Sequence, residues 1–121
     1  MTKKIYLATP VNGRKEPTLR EKEIAAYNRI LEMRVYLRQW YPEAEFYYVF
    51  NLLFSDTLEN LPESHIMGAC VEAVMKCDII ILDDGWEDSN GCNVERYVAD
   101  RYGKQVYTMK RFMLKEKLEK K

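Results

Sequence analysis

One run of five residues, Asp78-Ile79-Ile80-Ile81-Leu82, constrains the fold of this chain more than any other feature. Four consecutive aliphatic residues, held between an aspartate and the polar stretch 83–85, are typical of a strand that is covered on both faces. Such strands occur in parallel sheets, where helices pack on either side. The run therefore predicts the centre of a parallel sheet in an α/β domain.

The rest of the chain alternates between the residue patterns of strands and those of helices. Runs rich in β-branched and aromatic residues predict further strands, and apolar residues at helical spacing predict helices. Thr18-x-x-Glu21 is a capping box that begins the first helix, Asn12-Gly13 predicts a turn, and the polar stretch 55–63 predicts a loop. In chain order we predict a strand over 3–9, a helix over 18–40, a strand over 44–51, a helix over 62–76, the central strand, a helix over 92–102 that Gly103 ends, and a strand over 104–109.

This alternation predicts how the strands are ordered, because parallel strands joined through helices have right-handed crossovers. We predict one domain over residues 1–109, a flavodoxin- or Rossmann-like three-layer, doubly wound parallel sheet with strand order 2-1-3-4. A charged helical tail should follow over residues 110–121. Ligands of such sheets bind beyond the carboxyl ends of the strands, where the strand order reverses. The loops over 9–14 and 83–91 should therefore form the site.

Composition excludes several classes of site. Lysine plus arginine and aspartate plus glutamate each total 19, so the chain lacks the basic excess of a protein that binds a nucleic-acid polymer. Its three cysteines form no CxxC pair and only His65 could join them, so we expect no metal, cofactor or disulfide. No stretch approaches ~18 apolar residues and the first residues resemble no signal peptide. A cytoplasmic protein with a small-molecule ligand, rather than a membrane protein, is expected.

The first predicted helix has a wide apolar face that allows two interpretations. Two adjoining stripes recur at helical spacing, the first Ile24, Tyr27, Leu31 and Val35, the second Ala26, Ile30, Met33 and Leu37. The face can pack on the sheet and on a neighbouring helix. Alternatively, Tyr36, Trp40 and Tyr41 at its end can extend into a subunit contact.

Carboxylates crowd around the end of the central strand. Mutual repulsion in a half-buried cleft raises the pKa of some carboxyl groups, which suits acid-base chemistry, whereas a solvated acidic loop is the alternative. Glu95 is distinguished by its position about one turn into a helix, near Gly91 and the free amides of the helix N-terminus. The five carboxylates are Asp83, Asp84, Glu87, Asp88 and Glu95.

The central strand followed by Gly85-Trp86-x-x-Ser89-x-Gly91-x-x-x-Glu95 resembles the nucleoside 2-deoxyribosyltransferase-like superfamily, especially its small branch from bacteria and phages. The Ser-x-Gly-x-x-x-Glu spacing is also similar to that of the 2′-deoxynucleoside 5′-phosphate N-hydrolases of the same superfamily. The resemblance covers roughly residues 3–108.

The resemblance implies a hydrolase or deoxyribosyltransferase that acts on a nucleoside or nucleotide, commonly as a homodimer. In that scheme Glu95 is the nucleophile that attacks the sugar C1′ and forms a glycosyl-enzyme intermediate, as in retaining glycosidases. Ser89 and Gly91 would bind a 5′-phosphate or 5′-hydroxyl. Trp86 could stack on the base, or instead cover the loop or form a subunit contact. Tyr6, Thr9 and Arg14 would line the sugar and phosphate side.

One position departs from what the resemblance implies. Active members carry an aspartate eight residues before the central strand, where this chain has Cys70. A thiol is a poorer acceptor for sugar hydroxyls and a poorer proton donor to a base. Asp83 or Asp84 at the strand end is the candidate replacement, and we take Asp84 as the second catalytic residue. The alternative is a nucleotide-binding or interaction module that keeps the pocket without catalysis.

Overall fold

Residues 3–11, 14–52 and 62–119 are described by the computed structural model of the chain. The predicted Asn12-Gly13 turn and most of the predicted 55–63 loop lie outside these residues. A single 3₁₀ turn, Trp86–Asp88, precedes the fourth helix. In chain order the elements are β1 (Lys4–Ala8), α1 (Leu19–Leu37), β2 (Glu45–Tyr47), α2 (Val49–Leu52), α3 (Glu63–Lys76), β3 (Ile79–Leu82), α4 (Asn90–Arg101), β4 (Gln105–Thr108) and α5 (Met109–Glu119).

The four strands form one parallel sheet in the order β2-β1-β3-β4, which confirms the predicted α/β doubly wound fold and its strand order. β3 pairs with β1 on one side and β4 on the other, with Ile79 opposite both Ile5 and Gln105. All four residues of β3 are buried. The aliphatic run is therefore explained by helices that cover both faces of a central strand.

Side chains of β1 alternate between the two faces of the sheet, as the pleat requires. Ile5 and Leu7 enter one apolar core together with residues of α1 and α5. Tyr6 and Ala8 enter a second core together with residues of α3 and α4. We call these sides the α1 face and the α4 face. The end of β1 lies between them, so a ligand there can be contacted from both.

The second strand is shorter than the sequence predicts. β2 ends at Tyr47 and Val49–Leu52 forms the short helix α2, so the prediction of strand was wrong for residues 49–51. β2 is an edge strand whose ladder with β1 stops at the Tyr6–Tyr47 pair. Beyond that pair Phe50 packs in a T-shaped contact on Tyr27, with ring centroids 5.7 Å apart. Phe50, an aromatic residue of the kind that favours a strand, here lies in a helix and is half-buried.

Helix α1 begins where the capping box predicts, because the Thr18 hydroxyl accepts a hydrogen bond of 3.1 Å from the Glu21 amide. Its two apolar stripes differ in how far they are buried. The stripe of Ala26, Ile30, Met33 and Leu37 is buried, whereas Ile24, Tyr27 and Val35 of the other stripe are 48%, 42% and 75% exposed. The helix therefore packs on the sheet along one stripe only.

Aromatic residues join the end of α1 to α5. The Phe112 ring of α5 lies 6.0 Å from the Trp40 ring and 6.1 Å from the Tyr41 ring, and Tyr36 donates a hydrogen bond of 3.3 Å to the Phe112 carbonyl. Phe112 is only 6% exposed, so the predicted tail contributes a side chain to the core of the domain. No helix among residues 3–11, 14–52 and 62–119 combines the length and apolar character that spanning a membrane requires.

Candidate active site

Glu95 and Tyr6 meet where α4 crosses the end of the sheet. Ser89 caps α4, since its hydroxyl accepts from the Cys92 amide at 3.3 Å, and this start places Glu95 in the second turn. Tyr6 extends from β1 toward the α4 face, and its hydroxyl donates a short hydrogen bond to a Glu95 carboxylate oxygen. Tyr6 is 1% exposed and Glu95 6% exposed. The pair forms a buried, hydrogen-bonded floor for the site.

Burial changes the proton affinity of both groups. It raises the pKa of Glu95 to about 7, while hydrogen bonds from Tyr6 and from the Cys70 thiol act in the opposite direction. Burial and the neighbouring Glu95 charge raise the pKa of Tyr6 well above its usual value, so Tyr6 stays protonated and can keep donating. Glu95 therefore exchanges its proton near neutral pH, which is useful for chemistry.

Cys70 lies on α3 beside the pair, at the position where the resemblance implies an aspartate. Burial, and then the charge of Glu95, raise the pKa of Cys70 to about 12. Burial likewise raises the pKa of Cys92 to about 12. Both thiols are therefore neutral near pH 7, so each can donate a hydrogen bond but neither is a thiolate nucleophile.

A cavity of about 530 Å³ opens above this floor. Its walls come from β1 and the loop after it, helix α1 as far as Ile30, the start of α2, the N-terminal half of α3, and the segment from Asp88 to Glu95. The volume is in the range of small-molecule sites. The lining residues are Tyr6, Leu7, Ala8, Thr9, Val11, Leu19, Glu23, Ile30, Val49, Glu63, Ile66, Met67, Cys70, Asp88, Ser89, Asn90, Gly91, Cys92 and Glu95.

The structure brings some of the sequence-predicted site residues together and leaves others outside. Glu95, Tyr6, Thr9, Ser89 and Gly91 all line the cavity. The remaining three predicted residues, Asp84, Arg14 and Trp86, are not among its lining residues. Asp84 is exposed, and the Trp86 ring lies under the Arg96 guanidinium at 5.4 Å.

Asp83, which the sequence left as an alternative to Asp84, is held in an ion-pair network. It is 3% exposed and accepts two hydrogen bonds of 3.0 Å from Arg29 Nε, one of 2.9 Å from Arg29 Nη2 and one of 2.8 Å from the Thr9 hydroxyl. Arg14 Nη2 lies 4.0 Å away and also donates to Thr9. These contacts connect α1 to the end of β3, so Asp83 positions the walls of the site.

Glu23 is a cavity residue that the sequence reasoning missed. It projects from α1, is 4% exposed and lines the cavity, with Arg20 Nη1 at 3.9 Å. A signal was available, because Glu23 continues the buried stripe of Ala26 and Ile30 at helical spacing. A charged residue at such a position is an exception to the usual apolar face and indicates a polar function.

Gly91 has room for a side chain, although the sequence suggested that it permits close backbone approach. A Cβ there would lie 3.6 Å from the Met67 sulfur, which is ordinary contact. We expect Gly91→Ala to raise the free energy of unfolding by about 0.5–1 kcal/mol, since alanine reduces the freedom of the unfolded chain. Chemical denaturation measures this change. Gly103→Ala, at φ +71°, should destabilise the protein, and equal losses in both variants would contradict the expectation.

Among the described residues, no group of three histidine, cysteine, aspartate or glutamate side chains has the arrangement of a metal site. His65, at the start of α3, is exposed. What the cavity offers is a buried carboxyl group with a pKa near neutrality, two neutral donors beside it, and a helix N-terminus.

Comparison with known protein families gives a match that covers most of the chain. The family described as Domain of unknown function (DUF4406) matches residues 3–108, which include every element from β1 to β4. No curated protein shows a significant match to the chain.

Proposed function

Since the chain belongs to the DUF4406 family of domains of unknown function, we propose an activity from the site itself: cleavage of the N-glycosidic bond of a nucleoside or nucleotide, with Glu95 as the nucleophile. Hydrolysis or transfer of the sugar to a second base are the two possible outcomes of this reaction. The ligand is a small molecule bound in the cavity.

The observation that carries this proposal is the Glu95 carboxyl group, desolvated and hydrogen-bonded at the floor of a cavity of about 530 Å³. A carboxylate in such a place can attack the sugar C1′ and form an ester while the C1′–N bond breaks and its electrons leave with the base. Water or a second base then attacks C1′ and loses a proton to the departed base, while the bond between C1′ and the Glu95 oxygen breaks and its electrons return to the carboxylate. Splitting the displacement into two steps lowers each barrier.

The neighbours of Glu95 suit this role. Tyr6 donates to the carboxylate and holds the side chain in one orientation, as a nucleophile requires. The hydrogen bonds from Tyr6 and Cys70 favour the ionised form against the effect of burial. Ser89, Asn90 and Gly91 at the start of α4 add hydrogen-bonding groups on the same wall.

A base-release assay tests the proposal. The protein is incubated with the four common 2′-deoxynucleosides and with their 5′-monophosphates, and free base is followed by chromatography. Release of base from at least one substrate is expected. If none releases base while ligands still raise the melting temperature, the N-glycosidase proposal is wrong and a binding module is supported.

Cys70 favours this second candidate, a nucleotide-binding or interaction module. Asp84 is exposed outside the cavity and Asp83 is engaged by Arg29, so neither takes the place of the aspartate that the resemblance implies. A Cys70→Asp variant separates the two candidates. Base release by this variant alone would identify an impaired enzyme, whereas release by neither protein would favour the binding module.

The pH dependence of catalysis should follow the ionisation of Glu95. A nucleophile must be deprotonated, and burial raises the pKa of Glu95 to about 7, so kcat/KM should rise with pH up to about 7 and level off above it. The Tyr6 hydrogen bond lowers the pKa of Glu95, so Tyr6→Phe should move this rise to higher pH. Rates of base release across pH 5–9 measure both profiles.

A matched control for Tyr6→Phe is Tyr47→Phe, which removes a hydroxyl that donates to Glu45 at 2.9 Å outside the cavity. Its pH profile should coincide with that of the wild type. A wild-type profile that falls through pH 7 would instead assign Glu95 the role of a general acid.

A further inference from the structure

The charges that face the cavity are of one sign. Its nineteen described lining residues include Glu23, Glu63, Asp88 and Glu95 but no lysine or arginine. The two internal segments outside the described residues, 12–13 and 53–61, contain no lysine or arginine in their sequences either. Carboxylates accept hydrogen bonds when they are ionised and repel other anions. The cavity is therefore suited to ligand groups that donate and carry no negative charge.

Three arginines lie near the walls of the cavity, and each is paired with a carboxylate. Arg20, whose side chain is exposed, has its Nη1 3.9 Å from Glu23. Arg14 donates to the Pro10 carbonyl at 2.8 Å and to the Thr9 hydroxyl at 3.0 Å, and its Nη2 is 4.0 Å from Asp83. Arg29 makes a bidentate contact with Asp83. Turning the guanidinium of Arg14 or Arg29 toward a phosphate in the cavity would weaken the hold on a carboxylate that is 3% exposed, which is costly.

The N-termini of α1, α3 and α4 all reach the cavity, through Leu19, Glu63 and Asn90, and a helix N-terminus favours an anion because it carries about half a positive charge in free amides. An acidic residue lies in the first turn of α1, Glu21, and of α3, Glu63. Asp88 lies two residues before Asn90 and also lines the cavity. Its carboxylate offsets the helix dipole where a phosphate would have to bind. The helix dipole therefore does not reverse the negative electrostatic potential that the four carboxyl groups create in the cavity.

Glu23 and Glu95 face the cavity from different sides of the sheet. Glu23 comes from α1 on the α1 face, and Glu95 comes from α4 on the α4 face. Glu23 is 4% exposed, so a ligand group that donates to its carboxylate is shielded from competing water. A sugar hydroxyl or an exocyclic amine of a base supplies such a donor, and a phosphate group, fully ionised, does not.

We propose that Glu23 is a specificity-determining residue that accepts a hydrogen bond from an uncharged glycoside, and that the cavity selects a nucleoside over its 5′-monophosphate. This inference rests on the proposed function for the class of ligand. It adds to that function the chemical form of the ligand and a contact on the wall opposite Glu95.

Binding to uncleavable ligands tests the inference independently of catalysis. Carbocyclic 2′-deoxynucleosides lack the ring oxygen that supports an oxocarbenium-like centre, so they bind without reacting. Dissociation constants of these compounds and of their 5′-monophosphates are measured by calorimetry on the wild-type protein. We expect the best nucleoside to bind at least about tenfold more tightly than its monophosphate, and the difference to shrink as salt is raised.

Glu23→Gln keeps the shape of the side chain and removes its charge. We expect it to weaken binding of the nucleoside by about tenfold, because the amide oxygen is a weaker hydrogen-bond acceptor than a carboxylate. The ratio between the dissociation constants of the monophosphate and the nucleoside should become smaller as well. Glu43→Gln, the same change at an exposed residue outside the cavity, should alter neither constant.

Three results would overturn the inference: tighter binding of the monophosphate to wild type, equal constants for Glu23→Gln and wild type, or no binding of any carbocyclic nucleoside. These results are distinct from failure of the proposed function. If the protein binds nucleosides as described but releases no base, the catalytic proposal is wrong and the inference about selectivity stands.

Discussion

A Glu95→Gln variant is expected to release base at least about a thousandfold more slowly than the wild type, because the amide can occupy the same place but cannot form the glycosyl ester. The substitution is nearly isosteric, and the Tyr6 hydroxyl can still donate to the amide oxygen. Burial disfavours the charge of Glu95 and raises its pKa to about 7, so removing that charge should not lower the stability of the fold.

Single-turnover base release by both proteins measures the loss, and mass spectrometry of the wild type after rapid quenching detects the glycosyl adduct. Glu72→Gln is the matched control, since Glu72 is an exposed glutamate of α3 that pairs with Lys76 at 2.9 Å outside the cavity. It should retain the wild-type rate. A Glu95→Gln variant that keeps most of the activity would remove Glu95 from the nucleophile role.

Arg29→Met is expected to produce the largest loss of stability. It leaves Asp83, 3% exposed, without its bidentate partner, and breaking a buried ion pair costs about 3 kcal/mol or more. Arg14 at 4.0 Å and the Thr9 hydroxyl at 2.8 Å still stabilise the Asp83 carboxylate in part. We therefore expect the loss in the free energy of unfolding to be about 3 kcal/mol and not much more. For a domain of this size the melting temperature should fall by roughly 10–15 °C.

Two further variants test whether the loss of stability in Arg29→Met comes from the unpaired Asp83 carboxylate. Lys76→Met breaks the exposed pair with Glu72 and should leave the melting temperature almost unchanged. The double variant Arg29→Met/Asp83→Asn removes both charges, so it should be more stable than Arg29→Met alone. If the double variant is the less stable of the two, the cost lies in lost packing of the arginine stem and not in an unpaired carboxylate.

The fold could be predicted from the sequence because its strongest patterns agree with one another. The aliphatic run Ile79–Leu82 is β3 at the sheet centre, Thr18 caps α1, and Gly103 at φ +71° ends α4. The boundary of β2 could not be predicted from residue preferences, since Val49 and Phe50 favour strands yet lie in a helix. An edge strand ends where its partner stops pairing, and this depends on tertiary contacts.

The candidate site could be predicted only in part. Glu95, Tyr6, Ser89 and Gly91 line the cavity because the carboxyl ends of β1 and β3 are adjacent, which follows from the strand order. The roles of Glu23 and of the Arg29–Asp83 pair could not be predicted from the strand order. Charged residues on a helix are normally solvated, and which of them turn inward depends on where the helix lies over the sheet.

The parallel pairing of β1 with β3 also determines when the cavity can form. Each residue pair in this ladder, such as Ile5 with Ile79, closes a loop of more than seventy residues, and the four described strands form no hairpin that would bring β1 and β3 together earlier. High contact order of this kind slows folding. Tyr6 emerges early during synthesis, but its partner Glu95 is 89 positions later, so the nascent chain cannot form the Tyr6–Glu95 contact until most of the domain has been translated.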